Sequence, residues 1–228
     1  MGKNDNGNNG RTELVFVVDR SGSMGGLESD TIGGFNSMLS KQRTIAGECR
    51  VTTLLFDHRI ETLHNHLDIR EVNDLTSRDY WVRGSTALLD AIGLAIDRMI
   101  VTQRHTAAAY RAQHVLFVII TDGYENASRR YSLHQIKQMI TYERERYHWE
   151  FVFLGANIDA EQTAGVFGIS PRCATDFHAD GQGIKASFEA VACAATAVRG
   201  GADLDDLSAP DFLGGVRDDY RSRRRMKR

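Results

Sequence analysis

The chain alternates between short, continuously apolar runs and longer stretches of helical periodicity. The run Leu14-Val15-Phe16-Val17-Val18 is β-branched and apolar throughout, as expected of a strand covered on both faces. Residues 115–120 repeat that pattern, and further strands are expected at 51–56, 150–154 and 173–177. Between them the apolar period lengthens to that of a helix. Residues 28–43 place Ile32, Phe35, Met38 and Leu39 on one face, and 90–101 do the same with Ala91, Leu94, Ala95 and Met99. Residues 132–147 direct Leu133, Ile136, Met139 and Ile140 inward. A short helix is expected at 160–167, and a last one at 183–198 with Ile184, Phe188, Val191, Ala195 and Val198 on its buried stripe. A strand at 59–63 follows its predecessor too closely for a crossover helix, so it must run antiparallel at an edge. This order predicts an α/β fold: a doubly wound, mostly parallel central sheet with one antiparallel edge strand and helices on both faces.

Composition narrows the class. The 228 residues suffice for one sizeable core. Residues 1–11 are Asn/Gly-rich and read as a disordered leader; 12–200 read as a single domain, and 201–228 as a C-terminal extension ending in a basic tail. The leader resembles neither a signal nor a transit peptide, and no apolar run has the length of a membrane span. A cytoplasmic location is therefore the default expectation. Cys49, Cys173 and Cys193 form no metal signature and are expected as small buried hydrophobes in a reducing compartment. The net charge of −2 conceals an asymmetry. Six of the 28 basic residues lie within 221–228 without an acid, leaving 22 basic against 30 acidic groups elsewhere. An acidic body repels nucleic acid, so an anionic surface or nucleic acid would be engaged only through Arg221, Arg223, Arg224, Arg225, Lys227 and Arg228. The alternative for this tail is a solvated end.

The candidate chemistry sits at strand ends. Asp19-Arg20-Ser21-Gly22-Ser23-Met24 follows the first strand directly and puts a carboxylate and two hydroxyls on one short loop. Gly84-Ser85-Thr86-Ala87-Leu88 opens a helix, and Thr121-Asp122-Gly123 follows the strand at 115–120. In a doubly wound sheet those two strands are neighbours at the switch point, where ligands bind beyond the carboxyl ends. Oxygen-only donors of this kind suit a hard divalent cation. Each piece has a plainer alternative: Ser21, Ser23 or Thr86 as a helix cap, and Asp122-Gly123 as a turn.

Together, Asp19-x-Ser21-x-Ser23, Thr86 and Asp122 resemble the motif of the von Willebrand factor type A domain (the integrin I-like domain), over roughly residues 12–198. The resemblance is to its intracellular bacterial type. It implies a Rossmann-like fold and a metal-ion-dependent adhesion site with Asp19, Ser21, Ser23, Thr86 and Asp122 as metal residues. It implies Mg²⁺, or Mn²⁺ or Ca²⁺, with the hydroxyl-rich shell leaning to the smaller ion. It further implies a protein partner that presents Glu or Asp to the metal, with no catalysis and no small-molecule substrate. Members of this type also serve as regulatory partners of AAA+ ATPases or in stress-resistance complexes. By the same resemblance the last helix of the domain, here 181–198, is the candidate element that can shift with occupancy.

Two other chemistries compete for these residue types. His64-x-His66 could place two imidazoles on one face of a strand, but no third zinc ligand is placed by sequence. Solvated edge-strand histidines are the expectation there, and Asp57 and Glu61 are expected as surface charges. A metal-dependent phosphohydrolase of the same architecture needs a second Asp two residues after the first as general acid. That position is Ser21, and the Gly22-Ser23-Met24-Gly25 stretch is no nucleophile elbow.

Overall fold

The computed structural model describes residues 10–206 and 208–226. Its elements in chain order are β1 (Thr12–Asp19), α1 (Glu28–Arg43), β2 (Cys49–Phe56), β3 (Ile60–Asp68), α2 (Leu88–His105), β4 (His114–Thr121), α3 (Leu133–Tyr147), β5 (Glu150–Gly155), α4 (Ala160–Phe167), β6 (Ala174–Asp176), α5 (Gly181–Arg199) and α6 (Gly214–Met226). Six strands form one sheet in the order β3-β2-β1-β4-β5-β6. All neighbours are parallel except β2 and β3, which pair antiparallel at one edge. The fold is thus a doubly wound α/β sheet with β1 and β4 side by side at its centre.

Burial explains the apolar runs. Every residue of β1 is buried, and β4 is buried from Val115 onward. Alternate residues of β1 and β4 face opposite helical layers. Phe16 meets Phe35 of α1 edge-to-face with ring centroids 5.2 Å apart, and Phe35 meets Phe188 of α5. On the other face Phe117 stacks on Phe151 and Trp149, and Phe153 packs against Phe167 of α4. Arg199 at the end of α5 is buried and donates to the carbonyls of Gln42 and Ile45, tying α5 to the end of α1.

Several expectations need correction. Gly10 is buried and Arg11 pairs with Glu48, so the end of the expected leader is built into the fold; residues 1–9 lie outside the described residues. Edge strand β3 runs on to Asp68, and His64 within it is buried against Phe35 with its ring nitrogen 3.0 Å from Thr53 Oγ1. His66 pairs with the buried Glu13 instead of facing solvent freely. Among the described residues no group of three His, Cys, Asp or Glu side chains is placed to hold a metal ion. Cys49 and Cys173 are buried, but Cys193 is exposed.

The basic tail also departs from a solvated end. Residues from Gly214 form α6, which lies over the edge strand β6 and the start of α5. Arg217 donates to the carbonyls of Pro171, Arg172 and Ala174, while Leu213 and Val216 are buried. Arg223 pairs with Asp219 one turn earlier and with Asp180 at the cap of α5. Unsatisfied carbonyls at a sheet edge attract donors, and here a guanidinium supplies them. Lys227 and Arg228 lie outside the described residues. None of the described helices is long and apolar enough to cross a membrane.

Candidate cation site at the carboxyl end of the sheet

The end of β1 and the end of β4 are held together by one carboxylate. Asp19 is fully buried; its Oδ1 accepts from the Ser21 amide at 2.6 Å and its Oδ2 from Thr121 Oγ1 at 2.6 Å. Each of its oxygens thus accepts one hydrogen bond, one shaping its own loop and one bridging the central strands. Tyr80, almost fully buried, donates to the Asp19 carbonyl at 2.5 Å and fixes the turn from behind.

The hydroxyls converge above that bridge. Ser21 Oγ lies 3.0 Å from Ser23 Oγ, and Ser23 Oγ donates to Asp122 Oδ1 at 2.5 Å. Neither serine acts as a helix cap: Ser21 precedes the short turn at Gly22–Met24 without a side-chain bond to it. Thr86 is buried and precedes α2, whose cap position is Ala87. Thr86 is clamped by Asn126, which accepts from its amide at 2.9 Å and donates its own amide to the Thr86 carbonyl at 3.0 Å. A Cβ built on Gly123 would lie 3.4 Å from Ser23 Oγ and 3.6 Å from Thr86 Oγ1, so this glycine leaves both hydroxyls uncovered. All five candidate residues thus lie in one cleft at the carboxyl end of β1 and β4.

Asp122 is the electrostatic centre. It is 1% exposed, and its Oδ2 is buried without a hydrogen-bond partner. Burial, with a smaller contribution from the neighbouring Asp19 charge, pushes the Asp122 carboxyl up to about 6. Burial likewise raises Asp19, against the pull of its hydrogen bonds to Thr121 and Ser21. A pocket of hydroxyls and carboxylates that destabilises its own negative charge fits a hard cation. The donor set contains oxygen only, and the orphaned Asp122 oxygen is the atom such an ion would satisfy.

Beside the site lies a charge network that sequence patterning misplaced. Asp57 is fully buried, not a surface charge. Its Oδ2 accepts from Arg20 Nε at 3.1 Å and from Arg83 Nε at 2.8 Å, and its Oδ1 accepts from the Arg59 amide. Arg20, between Asp19 and Ser21 in sequence, is fully buried and also pairs with the exposed Glu61 at 2.8 Å. Trp81 covers both guanidinium groups. Burial opposes the Asp57 charge, but its bonds to Arg83 and Arg59 and the charges of Arg83 and Arg20 outweigh it and hold the carboxyl below the usual range. The Asp57 carbonyl accepts the Ala87 amide, and the Gly84 carbonyl accepts the Gly22 amide. The network therefore sets the first loop against the loop that carries Thr86.

No protein-family model matches the chain, and no curated protein matches it in sequence. Solved structures do. The PilB minor pilin from Streptococcus sanguinis aligns over 88% of this chain and 64% of its own, with a TM-score of 0.59 at 12% identity. Proximal thread matrix protein 1 from the mussel byssus, in a form with a zinc-occupied MIDAS motif, aligns over 82% of this chain with a TM-score of 0.56 at 14% identity. The manganese-loaded TRAP protein of Plasmodium vivax aligns over 78% of this chain and 72% of its own, with a TM-score of 0.51 at 16% identity. The chain spans about half the length of the byssus protein, 46% of it. At such identities the likeness is one of fold, and the fold is that of a von Willebrand factor type A domain.

Proposed function

We propose that the chain is a protein-interaction module that recognises an acidic residue of its partner through a bound divalent cation. The observation that carries this reading is the buried, unpartnered Oδ2 of Asp122 beside three convergent hydroxyls. Ser21 and Ser23 would ligate through their hydroxyl oxygens, and Thr86 directly or through water. Asp19 and Asp122 would act directly or through bridging waters. A cation held by mostly neutral ligands offers an electrophilic coordination position to a carboxylate oxygen of the partner.

The chain's own residues do the positioning. Asp19 shapes the serine loop, Thr121 joins it to β4, Asn126 holds Thr86, and Gly123 keeps the face open. The byssus protein with zinc and the TRAP protein with manganese support a divalent ion on this fold. We favour Mg²⁺ because compact hydroxyl-rich sets suit the smaller ion and leave it its waters. A binding role is favoured over phosphoester hydrolysis because Ser21 stands where a general acid is required. Three free cysteines suit a reducing, cytoplasmic setting.

Electron paramagnetic resonance of free Mn²⁺ tests the site without a partner. Wild-type protein should remove about one ion per chain from solution, and Asp122→Ala and Ser21→Ala should not. Undiminished Mn²⁺ uptake by both folded variants would place the ion elsewhere and overturn the assignment.

A further inference from the structure

We propose that a cavity at the amino end of β4 and β5 binds a guanine nucleotide, with the base inside against the Glu143 carboxylate and the phosphate outside on Arg104 and Arg111. The cavity lies at the opposite end of the sheet from the cation site and shares no residue with it. Its volume is about 180 Å³. It sits between the last turns of α2 and α3, with Ile100, Tyr147 and Trp149 in its walls beside those three charged residues.

Glu143 has no internal explanation. It is 3% exposed and lines the cavity, yet its carboxylate has no hydrogen bond or ion pair among the described residues. A carboxylate buried in that condition costs free energy that donors from a ligand recover. Burial pushes it above its ordinary value, against the pull of the Arg104 charge. Gln103, also in the lining, is already engaged: its Oε1 accepts the Ala112 amide at 3.2 Å. The aromatic walls are of two kinds. Trp149 is 6% exposed and fixed by its stack on Phe117, with ring centroids 5.5 Å apart, whereas Tyr147 is 52% exposed. Flat apolar walls around one acceptor suit a planar ring that carries N–H donors.

The charges choose among such rings. An ionised carboxylate only accepts, and its two oxygens match a ligand edge with two N–H donors side by side. Guanine has that edge in its ring N–H and exocyclic amine, whereas adenine sets one donor beside an acceptor. The rim decides against a cationic guest such as a partner's Lys or Arg. Arg104 and Arg111 are exposed, Arg111 Nε donates to the Thr106 carbonyl at 3.0 Å, and neither guanidinium makes an ion pair among the described residues. Like charge at the rim repels a cation and attracts a phosphate. The volume falls below the roughly 300 Å³ at which pockets enclose a whole ligand, so the cavity takes the ring system and leaves ribose and phosphate at the rim.

The chain has two tryptophans, Trp81 and Trp149, so their indole N–H signals in a nitrogen-edited NMR spectrum locate the ligand. Titrating the full chain with guanosine monophosphate should shift the Trp149 signal and leave Trp81 in place. Calorimetry should give about one ligand per chain, with adenosine monophosphate and guanosine each about ten-fold or more weaker. Glu143→Gln, whose amide sets one donor beside one acceptor, should lose the preference for guanine and keep the preference for phosphate. The double variant Arg104→Gln, Arg111→Gln should do the reverse. Its residues are exposed, so it keeps the test open if Glu143→Gln does not fold. Adenosine monophosphate bound as tightly as the guanine nucleotide, or a guanine preference that survives in Glu143→Gln, overturns the base assignment. Guanosine bound as tightly as its monophosphate overturns the phosphate assignment. Binding that moves only Trp81, or no binding to folded wild type at millimolar nucleotide, overturns the site.

Discussion

Asp57 is fully buried between Arg20 and Arg83, in a stretch whose charges read as solvent-facing on the sequence pattern. Removing Asp57 leaves the buried Arg20 with only the exposed Glu61 as its ion-pair partner. Asp57→Ala should therefore cost about 3–5 kcal/mol in urea unfolding; a loss below about 1 kcal/mol would show that the network does not anchor the loops. Tyr80→Phe removes a single bond to the Asp19 carbonyl and should cost about 1 kcal/mol by the same measurement. The five candidate ligands were legible because each stands at the end of an apolar run or the start of a helix. Asp57, Tyr80 and Asn126 were not, because their roles come from loops distant in sequence: Tyr80 reaches back to Asp19, and Asn126 to Thr86. Asp57 did follow directly on the apolar end of β2, which is the one local hint of burial it carried.

At the scale of elements, the apolar periods placed the helices and parallel strands because each buries a continuous stripe. α6 escaped that reading. Seven of its thirteen residues are charged, and it is held by Arg217 on the β6-side carbonyls and Arg223 on two aspartates, with Val216 as its buried apolar residue. Truncation after Leu213 should bare the β6 edge, lower the melting temperature and promote association on size exclusion; an unchanged monomeric profile and melt would contradict the capping role. The start of β5 carries a pH dependence. Burial, helped by the charges of Asp203 and Asp205, raises the Glu150 carboxyl to about 7. Between its unfolded value of 4.5 and about 7, the folded state binds the extra proton. Its contribution is thus fully present below that window and is lost as pH rises through it. Glu150→Gln should flatten this decline and be the more stable protein at pH 8; a parallel pH profile for the two would refute the assignment.

For the whole molecule, stability and binding meet at Asp122. A buried carboxylate with an unpartnered oxygen weakens the metal-free fold, and a cation that satisfies it strengthens the fold. The two effects have opposite signs, which separates a binding site from a merely structural turn. Thermal melting of wild-type protein and Asp122→Ala, each in EDTA and in Mg²⁺, is the most direct measurement. The account predicts that in EDTA Asp122→Ala melts at or above wild type. It predicts that Mg²⁺ at ten times its Kd raises wild type alone, by about 1.4 kcal/mol, or about 3–5 °C for a chain of this size. An Asp122→Ala protein that melts well below wild type in EDTA, with no response of either protein to Mg²⁺, would contradict the account and make Asp122 a structural residue of the turn.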